Sequence, residues 1–329
     1  MNILLTGGAG YIGSHAFIEL LDKGNEVIIL DNFSNSSLIN IRNIENLTKQ
    51  KTIFYQTNLL EKDKIDKILK DHKIDAVIHL AGLKSVGDSV KFPAKYYQNN
   101  VIGSKVLFEC LKKNNIENLV FSSSATVYGK PIFLPLSENH PKRATNPYGQ
   151  NKIDIESILL NDSYFRHSCS VKILRYFNPV GAHKSGLIGE LPTGIPNNLM
   201  PYIVGVAKKF YPYLNIYGDN YLTHDGTGVR DYIHVCDLVE GHIKALKYNK
   251  LGLSIFNLGT GKGFSVLDLV KTFEKVNGVK IPFKICPRRE GDVSNVFADT
   301  ALAKNTLNFI TRHDLSDMCK DAFRFSKNY

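Results

Sequence analysis

Thr6-Gly7-Gly8-Ala9-Gly10-Tyr11-Ile12-Gly13 (TGGAGYIG) joins two segments of opposite periodicity. Before it lies the short apolar run Asn2–Thr6 (NILLT), a buried strand by its pattern. After it, Tyr11–Lys23 (YIGSHAFIELLDK) carries apolar residues at helical spacing until Gly24 stops it. Gly7, Gly10 and Gly13 therefore form G-x-x-G-x-x-G between a strand and a helix. Gly7 permits the tight turn, Gly10 lets a pyrophosphate approach the backbone, and Gly13 lets helix and strand pack closely. The helix N-terminus adds free N–H groups and positive potential for the phosphates. A purely structural glycine turn is the competing reading; the strand before and helix after favour a dinucleotide site.

The same alternation continues outward. Strands are expected at Glu26–Leu30, Thr52–Gln56, Asp75–Leu80, Asn118–Ser122 and Val171–Tyr176. Helices are expected at Glu61–Asp71, about Pro93–Asn114 and about Tyr148–Phe165. The strands read as largely apolar on both faces, as helix-covered parallel strands must be. The fold class is thus α/β, a doubly wound parallel sheet of Rossmann type. After Asn178 the rhythm breaks into a stretch, 179–230, rich in Gly, Pro, Asn and Tyr. A helix at Val235–Tyr248 and a strand at Ser254–Leu258 follow, then a small mixed α/β region. The expected domains are 1–178, with 231–260 returning to it, and a smaller mixed α/β substrate domain at 179–329.

The chain has 329 residues, 43% hydrophobic and 22% charged, ordinary for a globular protein. No apolar run approaches the roughly 18–20 residues that span a bilayer. No charged segment leads into a long apolar one at the N-terminus, so a cytoplasmic protein without a membrane segment is expected. The five cysteines include no C-x-x-C, and the ten histidines show no ligand spacing, so neither disulfides nor a metal site is expected. The net charge of +10 raises nucleic acid as a partner. Yet the lysines are dispersed, with no basic arm or stripe, which favours solvated faces or an anionic small substrate.

Asp31 follows the second strand, where a carboxylate can accept both ribose hydroxyls of an adenosine and repel a 2′-phosphate. That selects NAD over NADP; capping the following segment is the alternative role. The fifth strand ends in FSSSATVYG (Phe121–Gly129), placing Ser122, Ser123 and Ser124 at the carboxyl edge where such sheets bind ligands. Tyr148 and Lys152, in NPYGQNK (Asn146–Lys152), share one helical face. Among sixteen tyrosines a Y-x-x-x-K match also arises by chance, so the pair gains weight only beside the glycines and serines. A phenol titrates near 10, and the neighbouring ammonium together with the positive nicotinamide ring is expected to lower that value. With Ser124 on the same substrate hydroxyl, the trio makes a proton-abstraction device beside a hydride acceptor.

This constellation resembles the extended short-chain dehydrogenases/reductases, and within them the UDP-glucose 4-epimerase family. In the first half the likeness rests on LTGGAGYIGSH from Leu5, ILDN from Ile29, HLAGLKSVG from His79, FSSSATVYG from Phe121 and PYG from Pro147. In the second it rests on LRYFNPVGAH from Leu174, GIPNNLMPY from Gly194, DGTGVRDYIHV from Asp225 and PRREGD from Pro287. It implies 4-epimerisation of UDP-sugars through a 4-keto intermediate, with NAD as a retained cofactor. Tyr148, Lys152 and Ser124 are then catalytic. Gly7, Gly10, Tyr11, Ile12, Gly13, Asp31, Asn32, Asn58, Lys84, Asn99, Ser122, Lys152 and Tyr176 face the cofactor. Lys84 would neutralise pyrophosphate, against an ordinary surface lysine. Asn178, Asn198, Leu199, Arg230, Arg289 and Asp292 join Ser124 and Tyr148 at the nucleotide-sugar. The arginines suit a diphosphate and Asp292 a ribose, although a plain loop acid is the alternative. A homodimer through helices near 93–114 and 148–165 is also implied.

Two positions depart from the family pattern. Asn58 stands where an Asp is common near the adenine; its amide oxygen still accepts a hydrogen bond. Val296 leaves more room beside the sugar's C2 substituent than a Tyr would, so UDP-GlcNAc and UDP-GalNAc are expected substrates beside UDP-glucose and UDP-galactose. A 4,6-dehydratase needs an Asp-Glu after the strand-end residue, and Ala125, Thr126 and Val127 follow Ser124. A 4-epimerase of UDP-glucuronate or UDP-arabinose, and a non-catalytic dinucleotide sensor, stay as alternatives.

Overall fold

The computed structural model describes every residue except 192, 193, 195, 197 and 290. Its first half runs β1 (Asn2–Thr6), α1 (Tyr11–Asp22), β2 (Glu26–Asp31), α2 (Leu38–Thr48), β3 (Ile53–Gln56), α3 (Lys62–Asp71) and β4 (Ala76–His79). It continues with α4 (Val86–Lys91), α5 (Pro93–Tyr96), a π-helical turn (Tyr97–Ile102), α6 (Gly103–Lys113), β5 (Asn118–Ser122), α7 (Pro147–Asn161), α8 (Ser163–His167) and β6 (Ser170–Tyr176). The second half runs β7 (Asn178–Val180), α9 (Leu199–Ala207), β8 (Leu214–Tyr217), β9 (Val229–Arg230), β10 (Tyr232–His234), α10 (Val235–Lys247) and β11 (Gly252–Leu258). It ends with β12 (Phe264–Ser265), α11 (Val266–Asn277), β13 (Phe283–Cys286), β14 (Asn295–Val296), α12 (Ala301–Leu307) and α13 (Leu315–Ser326).

The chain divides into two compact units: residues 1–129, 141–175 and 239–256, and residues 130–140, 176–238 and 257–329. The first is built on a seven-stranded sheet in the order β11-β6-β5-β4-β1-β2-β3. Pairing is parallel from β6 through β3. Strand order reverses direction between β1 and β4, which opens a crevice at their carboxyl ends. The doubly wound α/β class is therefore the observed one. Strands β1, β4 and β5 are buried almost throughout, packed by Ile65, Leu107, Phe108 and Ile155 from the helices.

Several local expectations change. β3 is not covered on both faces: Ile53 and Phe54 are each 39% exposed, because β3 is the sheet's edge. The helix expected near 93–114 is interrupted by the π-helical turn, a break often found at functional positions. The helix expected near 148–165 ends at Asn161, because the Asp162 side chain accepts from Tyr164 N and starts α8 afresh. Helix α2 was not foreseen; its asparagines mask a helical face on which Ile41 and Ile44 are buried.

Among the described residues the second unit holds three small sheets, β10-β7, β12-β9-β14 and β13-β8. Its core gathers Met200, Ile203, Leu214, Ile216, Phe273 and Met318 between α9, α11 and α13. Residues 130–140, expected with the first domain, belong here. Leu136 N donates to Phe297 O at 2.9 Å, and Leu136 bridges Ala298. The chain returns to the first unit over 239–256, somewhat less than the 231–260 expected.

Candidate active site

The glycine loop is shaped by close approach. Gly7 sits at φ +71°, and a Cβ there would lie 2.7 Å from Ala81 N. A Cβ on Gly13 would lie 2.2 Å from Gly7 O and 2.6 Å from Gly8 Cα, so only glycine lets α1 start against the loop. A Cβ on Gly10 would meet Gly7 O alone, at 3.2 Å, leaving its other side open. Gly10 is the N-cap of α1; no side chain caps this helix and no acid stands in its first turn. Its first turn, Tyr11 to Gly13, thus presents backbone N–H groups and positive potential.

Asp31 closes β2 beside this loop. It is buried, and its carboxylate accepts from Ala9 N (3.0 Å), Phe33 N (2.9 Å) and Ser36 Oγ (2.8 Å). Burial pushes its pKa up; the three hydrogen bonds resist that rise. The capping alternative is thus realised, and three of roughly four acceptor positions are taken, leaving room for one ribose hydroxyl rather than two. Asn32 Oδ1 accepts from Ser34 N at 3.0 Å. Asn58 Oδ1 accepts from Leu60 N at 3.0 Å, so its oxygen is already engaged in a local turn. Lys84 is exposed, its Nζ 6.0 Å from the centre of the Tyr11 ring. Asn99 donates to Asn100 Oδ1 at 2.9 Å.

The end of β5 meets the start of α7. Asn146 caps α7 by accepting from Gly149 N at 2.9 Å, and Pro147 fills the first helical position. Tyr148, second in the helix, is 8% exposed and its phenol faces Ser124, which opposes the rise of its pKa. Lys152, one turn on, is buried and donates to Ser122 O at 2.7 Å. Its Nζ lies 5.8 Å from the Tyr148 ring centre and 4.9 Å from that of Phe121. Ser122 Oγ pairs with His242 Nε2 at 2.8 Å, so its side chain is committed to α10 and its carbonyl to the lysine. The protein groups by themselves do not lower the tyrosine pKa. Burial pushes the phenol up to about 12, against the opposing Ser124 hydrogen bond. Burial likewise lowers Lys152 to about 8, partly countered by Glu156.

Of the residues expected at the sugar nucleotide, Ser124 and Tyr148 lie in the first unit and the others in the second. Tyr176, expected at the cofactor, ends β6 half-buried, and Asn178 is exposed with its N–H on Asp231 O at 3.0 Å. Asn198 donates to Glu190 Oε1 at 2.8 Å, and Leu199 begins α9. Arg230 and Asp292 are joined by a short hydrogen bond. Val296 on β14 is the register partner of Arg230 on β9. Arg289 lies exposed, its guanidinium 3.9 Å from the Tyr217 ring centre. Arg230, Asp292 and Val296 are thus brought together by one small sheet and its loop.

A family model, the NAD dependent epimerase/dehydratase family, matches residues 3–259. The chain belongs to this family. It is 50% identical over 330 residues to the UDP-glucose 4-epimerase of Bacillus subtilis (strain 168), covering 100% of this chain and 97% of that one. The crystal structure of UDP-glucose-4-epimerase from Stenotrophomonas maltophila with bound NAD and formylated UDP-arabinopyranose is similar at a TM-score of 0.97 and 45% identity, covering 100% and 98% of the two chains. That of the Bifidobacterium longum UDP-glucose 4-epimerase in complex with NAD+ and UDP gives 0.96 and 44%, with the same coverage.

In this epimerase/dehydratase chain the sequence reading passed over several residues around the site. Asn100, in the π-helical turn, pins the loop before Lys84 by accepting from Leu83 N (2.8 Å) and donating to Leu83 O (3.0 Å). Asn40 donates to Ala9 O at 2.7 Å and ties α2 to the glycine loop. His79 bridges Thr6 Oγ1 (2.7 Å) and Ser104 Oγ (2.8 Å), and burial drives it to about 3, so it stays neutral. None carries a local signal, since each partner is distant in sequence. One cluster of metal-ligand type occurs among the described residues: His224, Asp225 and Asp268. Hydrogen bonds explain it, because Asp225 accepts from Thr227 and Ser265 while Asp268 completes the cap of α11. Among the described residues no helix is long and apolar enough to cross a membrane.

Proposed function

We propose that the chain is an NAD-dependent 4-epimerase of UDP-sugars, interconverting UDP-galactose and UDP-glucose. The observation that carries this is the buried Tyr148 with its phenol facing Ser124, and Lys152 one turn away on the Ser122 carbonyl. The glycine cradle fits the dinucleotide: it is tight at Gly13 and open at Gly10, above an uncapped helix end. Asp31 at the end of β2 is placed to meet an unmodified adenosine ribose. NAD, when bound, supplies the hydride acceptor and donor at the sugar's C4, together with a positive ring charge. Tyr148 takes the proton of the 4-hydroxyl and returns it after the sugar has turned, while Ser124 hydrogen-bonds the same oxygen. Lys152 holds positive charge beside the phenol. Arg230 and Arg289 offer guanidinium groups to the diphosphate and Asp292 a carboxylate to the ribose.

Val296 carries the reading of substrate breadth. Its side chain stands beside Arg230 and is smaller than a tyrosine would be, so N-acetylated UDP-sugars enter as well. The protein acts in the cytoplasm as a homodimer formed through α5, α6 and α7. Support for that face comes from apolar side chains left exposed at its start, Phe92 at 57% and Tyr97 at 47%. Light scattering then gives twice the 36.9 kDa chain mass, and a monomer at working concentration removes the dimer. The function itself is tested by incubating the purified protein with UDP-galactose without added NAD and quantifying UDP-glucose. Tyr148→Phe keeps the bound cofactor and loses at least about 100-fold in turnover. Substantial activity in that variant removes Tyr148 from the mechanism.

A further inference from the structure

Glu156 is fully buried on α7, four residues beyond Lys152 and eight beyond Tyr148. The three side chains follow one helical face. Its carboxylate accepts from Ser123 Oγ at 2.7 Å, Arg175 Nε at 2.9 Å, Arg175 Nη2 at 2.7 Å and Lys142 Nζ at 3.1 Å. Arg175 also reaches the Tyr128 hydroxyl at 3.2 Å. One carboxylate thus joins the end of β5, the end of β6 and the segment before α7. Ser123 lies between the residue whose carbonyl holds Lys152 and the residue that faces the Tyr148 phenol. Fixing Ser123 therefore fixes both neighbours.

We propose that Glu156 is a positioning residue for the Tyr148–Lys152 pair, locking the strand end that presents Ser122 and Ser124 and supplying the negative charge that sustains the Lys152 ammonium. The inference rests on the epimerase reading for its catalytic meaning, not for its geometry. The groups facing Lys152 leave Glu156 that task. On α7 stands Tyr148; on β5, Phe121 and the Ser122 carbonyl; on β4, His79, neutral through burial. Tyr96 of α5 stands against Tyr148, and His242 of α10 meets Ser122 rather than the lysine. Arg175 and Lys142 are both positive and lie on Glu156 itself. Without the carboxylate, two uncompensated positive charges remain near a third.

The test follows the Lys152 side chain by NMR in the purified protein with labelled lysine, assigned by the signal absent from Lys152→Met, alongside the pH dependence of UDP-galactose turnover. Glu156→Gln moves the Lys152 midpoint down by about one pH unit, and the turnover profile moves with it. Lys142→Met removes a positive charge and moves the midpoint up by a smaller amount. Opposite directions from two variants are not what loosened packing would give. A folded Glu156→Gln protein with an unmoved midpoint overturns the proposal. Where that variant does not fold, Lys142→Met decides: a rise supports the proposal, and no rise overturns it. If the midpoints move as stated while UDP-galactose is not converted, the reaction assignment fails and the positioning role stands.

Discussion

Lys152→Met separates what this lysine does for the fold from what it does for the reaction. Burial brings the ammonium from 10.5 down to about 8, equivalent to about 3 kcal/mol against the charged form at neutral pH. Methionine fills nearly the same volume without charge. Against that gain stands the hydrogen bond to the Ser122 carbonyl at 2.7 Å, whose loss costs about 1–2 kcal/mol. The variant is therefore about 1–2 kcal/mol more stable at pH 7, while turnover falls at least about 100-fold. The sign also fixes a pH window. The folded pKa lies below the unfolded one, so between pH 8 and 10.5 the unfolded chain binds more protons. The wild-type lysine thus makes stability rise through that window, and the variant flattens the rise. Urea unfolding of both proteins from pH 7 to 10.5, with a coupled UDP-galactose assay, reads both effects. A variant destabilised by more than about 2 kcal/mol would show that the ammonium serves the fold, and the argument would fail.

Val296→Tyr narrows the wall beside Arg230 and costs the bulkier substrates about 1–3 kcal/mol of strain. Conversion of UDP-GalNAc then falls about 10–100-fold relative to UDP-galactose, and an equal fall for both removes the gate. His313 Nδ1 meets Asp237 Oδ1 at 2.9 Å. The hydrogen bond with Asp237 raises His313 above 6.5, while burial of Asp237 is outweighed by its bonds from His313 and Arg312, which hold it below 3.8. The His313 contribution is full below pH 6.5 and fades as pH rises through the folded pKa; that of Asp237 is present above pH 3.8 and fades as pH falls. Because His313 is partly exposed, the pair is worth about 1 kcal/mol or less. His313→Gln should flatten the alkaline loss of melting temperature; an unchanged slope above pH 6.5 would exclude the pair as its source.

Local features made the fold legible. The β1–loop–α1 unit is contiguous in sequence, and each glycine answers a contact within a few residues or on the adjacent strand. Tyr148 and Lys152 were legible as a pair because helical spacing places them on one face. What stayed hidden depends on distant partners. Helical spacing does not reveal that Lys152 reaches a backbone carbonyl on β5 instead of the phenol. Nor does it reveal that burial sends the Tyr148 pKa upward. Asn100 looked like one asparagine of a polar run, and only the fold brings Leu83 against its amide. Asp31 shows the same limit: its position at a strand end was readable, but the three donors that fill most of its carboxylate were not.

The three serines closing β5 show how far position alone separates like residues. Successive side chains of an extended chain point to opposite sides. Ser122 turns its hydroxyl to His242, Ser123 to Glu156, and Ser124 to Tyr148. Ser122 and Ser123 are fully buried, and both hydroxyls are paired with helices. Neither can serve a substrate without leaving a buried polar partner unsatisfied. Ser124 differs because the strand has ended. Its Oγ caps the turn at Ala125–Val127 by accepting from Thr126 N at 3.2 Å, and it remains partly accessible at 8%. A hydroxyl that caps one turn and also meets the phenol has a fixed direction and limited remaining capacity. Those are the conditions for orienting a single substrate oxygen. The one serine of the three left able to serve a substrate is therefore selected by where the strand stops, and on the proposal above Glu156, through Ser123, helps fix that point.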